Sequence, residues 1–141
     1  MTGTVPYLVG ATLALAVGGM STVVGFDRDR AFYPTVLIVI ASYYALFAVV
    51  SESTDALVVE VIVATAFLTM AIVGFKRSLW LVVAALAAHG ILDVFHQQII
   101  ANPGVPAWWP AWCFAYDVVA AGYLAFLLSR RVVRVRAADP E

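Results

Sequence analysis

Five runs of predominantly apolar residues, each close to twenty residues long and each ended by charge or by a turn signal, dominate this chain. They cover approximately 5–25, 32–50, 56–75, 79–101 and 108–129. A helix needs roughly 20 such residues to cross the hydrocarbon of a bilayer. Peptide groups in hydrocarbon must also be hydrogen-bonded within the protein, and a helix does this by itself whereas an open strand does not. The runs therefore predict an all-α integral membrane protein, a five-transmembrane-helix bundle. Composition agrees, since 64% of the 141 residues are hydrophobic and the mean hydropathy is +0.97, well outside the range of soluble domains. Residues 1–131 read as one transmembrane domain, followed by a short tail over 132–141 that is first basic and then acidic; no separate soluble domain fits.

The boundaries carry their own chemistry. Asp27, Arg28, Asp29 and Arg30 end the first run, and Ser51 to Asp55 end the second, with Thr54 or Asp55 expected to cap the third helix. Lys76 and Arg77 close the third run, and Asn102-Pro103-Gly104 closes the fourth with a strong turn signal. Pro110 falls where a helix tolerates proline, in its first turn. The N-terminal stretch lacks the basic region of a cleaved signal peptide, so the first run is expected to be a retained helix.

All eight basic residues obey one rule. Arg28 and Arg30 follow run one, Lys76 and Arg77 follow run three, and Arg130, Arg131, Arg134 and Arg136 follow run five. Positively charged loops resist translocation, so the expected orientation is N-terminus out and C-terminus in. A four- or six-span chain would place basic clusters on both sides. Trp108, Trp109 and Trp112 then fall at the outer interface and Trp80 at the inner one.

Three of the nine acidic residues, Glu60, Asp93 and Asp117, lie inside the predicted spans, where no arginine and no lysine accompanies them. A bare carboxylate in hydrocarbon is costly by several kcal/mol or more, so each must be protonated, metal-bound, hydrated or paired with histidine. The two histidines, His89 and His96, share a span with Asp93 at i, i+4 and i+7, on one face to within about 60°. Counted at ~1.5 Å per residue from the outer ends, Glu60, His96 and Cys113 lie about 8 Å deep, Tyr44 about 10 Å, Asp93 and Asp117 about 12 to 14 Å, and His89 about 18 Å. If the helix faces converge, these groups form one polar pocket open to the extracytoplasmic side.

Imidazole and carboxylate ligands at this spacing suit a divalent ion, with zinc, iron or manganese as candidates and His89, Asp93, His96, Asp117 and Glu60 as ligands. An ion with an open position can activate water to hydrolyse a lipid or small amphipathic substrate, although no H-E-x-x-H signature is present. The bland alternatives are a hydrogen-bonded structural histidine, a Glu60 that snorkels to the interface, an Asp117 that accepts from Tyr43 or Tyr44, and a Cys113 that merely fills space. A proton relay or ion channel is a second class, opposed by the dry inner stretches LWLVVAALAA and VVAAGYLAFLL. One haem cannot take both histidines axially, because they lie about 10.5 Å apart on one helix, while single-histidine ligation stays open. An accessory subunit is the remaining class, with Ala84, Ala85, Ala87, Ala88, Ala121 and Ala125 allowing close helix approach.

The stretches FYPTVLIVIASYYALF and NPGVPAWWPAWC resemble those of small bacterial inner-membrane proteins with no established activity. That resemblance implies a multi-pass inner-membrane location and no particular reaction. The expected partners are the lipid bilayer and either copies of the same chain or a larger membrane complex; the net charge of -1 gives no reason to expect nucleic acid.

Overall fold

The computed structural model describes residues 3–130. It contains five helices long and apolar enough to cross a membrane: α1 (Val5–Val24), α2 (Phe32–Val50), α3 (Thr54–Lys76), α4 (Trp80–Ile99) and α5 (Trp109–Ser129). A 3-10 turn, Phe26–Arg28, joins the first two. The expected tail and Arg131, Arg134 and Arg136 lie outside the described residues.

Local signals end the helices close to where the sequence places them. Gly25 caps α1 in the left-handed region, φ 95°, with its N–H bonded to the Ser21 carbonyl, a conformation that glycine adopts without a Cβ penalty. Pro110 occupies the first turn of α5. The cap of α3 differs from expectation. Ser53 holds it, accepting from the Ala56 N–H, while Thr54 and Asp55 already belong to the first turn. Glu52, with φ 55°, lies in the turn that ends α2, where its N–H bonds to the Val49 carbonyl and the Ser53 N–H to the Ala48 carbonyl.

Helix packing follows small residues. The buried residues of α1 are Pro6, Gly10, Ala14, Gly18 and Ser21, a stripe spaced by about one turn that lets a neighbour approach closely. That neighbour is α5, which runs parallel to it: a Cβ on Gly10 would lie 2.1 Å from the Trp112 carbonyl oxygen, and one on Gly18 would lie 2.9 Å from the Tyr123 ring. Gly90 plays the same part between α4 and α5, beside the Asp117 Cβ and the Phe114 carbonyl. α2 packs on α3, and α3 on α4. α1 and α2 are held apart by a groove of about 470 Å³, lined by residues such as Leu13, Val17, Val36 and Tyr116.

Arg28, Arg30, Lys76, Arg77 and Arg130 gather at one end of the bundle. Arg30 crosses from the α1–α2 connection to the end of α3, donating to the Gly74 carbonyl at 3.2 Å and the Phe75 carbonyl at 2.7 and 3.0 Å. A cation on the last carbonyls of a helix is favoured by the helix dipole. Burial pulls the guanidinium below the ordinary arginine range. At the other end the connection between α4 and α5 folds back over the helices, burying Ile100, Asn102 and Val105. Trp109 differs from the expected interfacial ring: it is 7% exposed and packs inward on Tyr43 and Phe47, with centroids 5.0 and 4.8 Å away.

Candidate metal centre

The five acids and imidazoles singled out from sequence are all buried, yet they do not form one pocket. They form two polar layers, one above the other along α4, because a shared helix face brings side chains to the same side without bringing them to the same height.

The deeper layer joins α4 to α5. His89 Nδ1 lies 2.6 Å from Asp117 Oδ2 and 3.6 Å from Asp93 Oδ2. Cys113, one helical turn before Asp117, brings its Sγ to 4.0 Å from Asp117 Oδ2. One ligand atom from each of His89, Asp93, Cys113 and Asp117 lies within 4.8 Å of the others, and all four residues are buried. Tyr44, from α2, donates its hydroxyl to Asp93 Oδ1 at 2.5 Å. Two carboxylate oxygens, Asp93 Oδ2 and Asp117 Oδ1, are buried without a hydrogen-bond partner.

The layer nearer the α4–α5 connection joins α3, α4 and that connection. Glu60 Oε1 accepts from Asn102 Nδ2 at 2.8 Å and lies 2.8 Å from His96 Nε2. The Tyr44 ring stacks on His96, with centroids 3.9 Å apart and planes at 15°. Tyr44 therefore partitions the layers, with its ring against one and its hydroxyl in the other.

Several sequence expectations change in detail. Glu60 is 1% exposed and bonds inward, so it does not snorkel. Asp117 takes its close contact from His89 rather than from Tyr43 or Tyr44. Glu60 and His96 stand outside the group of converging donors, and Cys113 replaces them. The i, i+4 spacing of Cys113 and Asp117 was the available signal for that thiol. His89, Asp93 and Asp117 are at most 1% exposed, so the layer is closed rather than an open outward pocket.

A fourth buried acid, Asp27, did not stand out in the sequence. Asp27 is fully buried at the basic end; its Oδ2 meets the Thr22 hydroxyl, which lies 2.9 Å from the Tyr123 hydroxyl. Its position inside a run of alternating charges gave the appearance of a solvated loop.

The donor set of the deeper layer fits a divalent cation. It offers two carboxylates, an imidazole and a thiol, with no lysine or arginine among them. A four-coordinate site with ligand bonds of about 2.0–2.3 Å has donor separations of roughly 3.3–3.8 Å, so shifts of about an ångström would close these atoms around an ion. Fold and site together define a five-span helical membrane protein with a buried His/Asp/Cys/Asp cluster able to hold a metal. No protein-family model, curated protein or solved structure matches this chain.

Proposed function

We propose that this chain is a metal-binding protein of a bacterial inner membrane, holding one divalent ion between His89, Asp93, Cys113 and Asp117. The observation that carries the reading is the convergence of two buried carboxylates, an imidazole and a thiol, with one ligand atom from each within 4.8 Å of the others. A dication offsets the negative charge that these groups otherwise bring into hydrocarbon. The thiol favours zinc or iron over manganese, because soft sulfur ligands select for softer ions. Such an ion supplies Lewis acidity to activate water, the chemistry needed to hydrolyse a lipid or small amphipathic substrate. The gathering of the described basic residues at one end supports an N-out, C-in orientation, with the metal layer lying toward the extracytoplasmic side.

Elemental analysis of protein purified in detergent without added metal tests this, alongside His89→Ala and Asp93→Ala. The expected result is stoichiometric metal in the parent chain, lost in both variants. A parent chain that is purified metal-free and takes up neither zinc nor iron overturns it.

A proton-transfer reading is favoured by one feature, the continuous row from Tyr44 through Asp93 and His89 to Asp117. Below that row, Val82, Ala85, Leu86 and Leu124 are fully buried and apolar, which opposes a route to the basic end. Pyranine-loaded vesicles separate the two readings, since the metal-centre reading expects no proton flux through the protein.

A further inference from the structure

We propose that His96, backed by Glu60, is a transient cation ligand through which a divalent ion is loaded into the deeper layer, with Asn102 as the latch. The proposal rests on the metal-centre reading above. Donors that are at most 1% exposed can be reached only if part of the fold opens, and the two directions along α4 are unequal. Toward the basic end lie roughly 13 Å of helix between His89 and Trp80, with Val82, Ala85 and Leu86 fully buried. Toward the α4–α5 connection, His96 stands one turn beyond Asp93, and polar groups continue to the loop.

The chemistry of this layer suits a passing cation. Glu60 Oε1 sits 2.8 Å from His96 Nε2; a neutral imidazole donating to an ionised carboxylate there keeps its lone pair on Nδ1. That Nδ1 is buried and has no hydrogen-bond partner. An imidazole backed by a carboxylate, with its other nitrogen unengaged, is the arrangement that proteins use to orient and strengthen a histidine ligand.

The same layer is bolted shut. Asn102 Nδ2 also donates to the Tyr44 carbonyl at 3.0 Å, and its Oδ1 accepts from the Gly104 N–H at 3.2 Å. Gly104 lies so close to α2 that a Cβ there would be 2.0 Å from the Phe47 carbonyl oxygen. Release of Asn102 frees Glu60 and lifts the connection. Movement of Tyr44, which touches both layers, then passes the ion on to Asp93.

In protein stripped of metal with a chelator, the chain's single cysteine, Cys113, reports access to the deeper layer. The test uses the full chain in detergent and measures Cys113 modification by a small methanethiosulfonate reagent and the rate and extent of zinc uptake. Asn102→Ala should accelerate both rates by about tenfold or more, without changing zinc bound at equilibrium. Glu60→Gln keeps an acceptor for Asn102 but loses the charge, and should slow zinc uptake by about tenfold while leaving the thiol rate near that of the parent. Tyr123→Phe, at the basic end, should change neither. Equal thiol rates in Asn102→Ala and the parent overturn the latch, as does equal acceleration by Tyr123→Phe, which would mark general loosening. Parent-like zinc uptake by Glu60→Gln overturns the transient site while the metal centre stands. Absence of both zinc and iron binding in the parent removes the metal centre, and this proposal with it.

Discussion

The bundle buries carboxylates toward both ends, and the company they keep is different. At the basic end Asp27 meets hydroxyls, from Thr22 and through it Tyr123, in the same connection as Arg30, whose guanidinium grips the end of α3. In the deeper layer toward the other end, Asp93 and Asp117 meet an imidazole and a thiol. Asp27 Oδ1, like Asp93 Oδ2 and Asp117 Oδ1, is buried without a hydrogen-bond partner. What separates the two ends is the kind of neighbour: hydroxyls tie a carboxylate into the fold without adding strong metal ligands, and the first arrangement is a structural tie. Imidazole and thiol are themselves metal ligands, so the second arrangement gathers donors with affinity for a common ion.

The contrast can be broken most decisively at its metal side. Asp93→Asn and His89→Ala should each abolish stoichiometric zinc binding, read by elemental analysis, whereas Asp27→Asn should leave it intact; zinc lost equally in all three would erase the distinction. Cys113→Ser comes next. It should weaken zinc by about tenfold or more, at least ~1.4 kcal/mol, and remove the sulfur-to-metal charge-transfer absorption of the cobalt-substituted protein. Retention of that absorption would exclude the thiol as a ligand. At the structural end, Asp27→Ala should cost about 1–3 kcal/mol of stability, through hydroxyls left without their acceptor, measured by unfolding in detergent with the zinc content unchanged. Tyr123→Phe, which removes one hydroxyl, should cost about 0.5–1.5 kcal/mol. A change in zinc affinity on Tyr123→Phe would show that the two ends communicate.

Much of the fold was legible because each span is a long apolar run ended by charges or by Asn102-Pro103-Gly104, and these stops do not depend on distant residues. The identities of His89, Asp93, His96, Asp117 and Glu60 as buried groups were legible for a similar reason: ionisable residues inside hydrocarbon stand out. Their grouping was not. Helical periodicity gives the face on which His89, Asp93 and His96 lie, but it says nothing about Tyr44 entering from α2 between the two heights. Cys113 was hidden by its ordinary role as a small apolar residue, and only the approach of α4 to α5 at Gly90 brings it beside His89 and Asp93. Asp27 was hidden because its burial depends on Tyr123, 101 residues after Thr22 in the chain.

The partnership of α1 with α5 has a consequence for biogenesis. α1 is made four helices before α5 yet packs on it, across the stripe from Gly10 to Ser21, and is kept from α2 by the groove between them. While α2, α3 and α4 are being inserted, that glycine-lined stripe is solvated by acyl chains alone. A chain halted after α4 therefore leaves a helix-binding surface of small residues open to lipid.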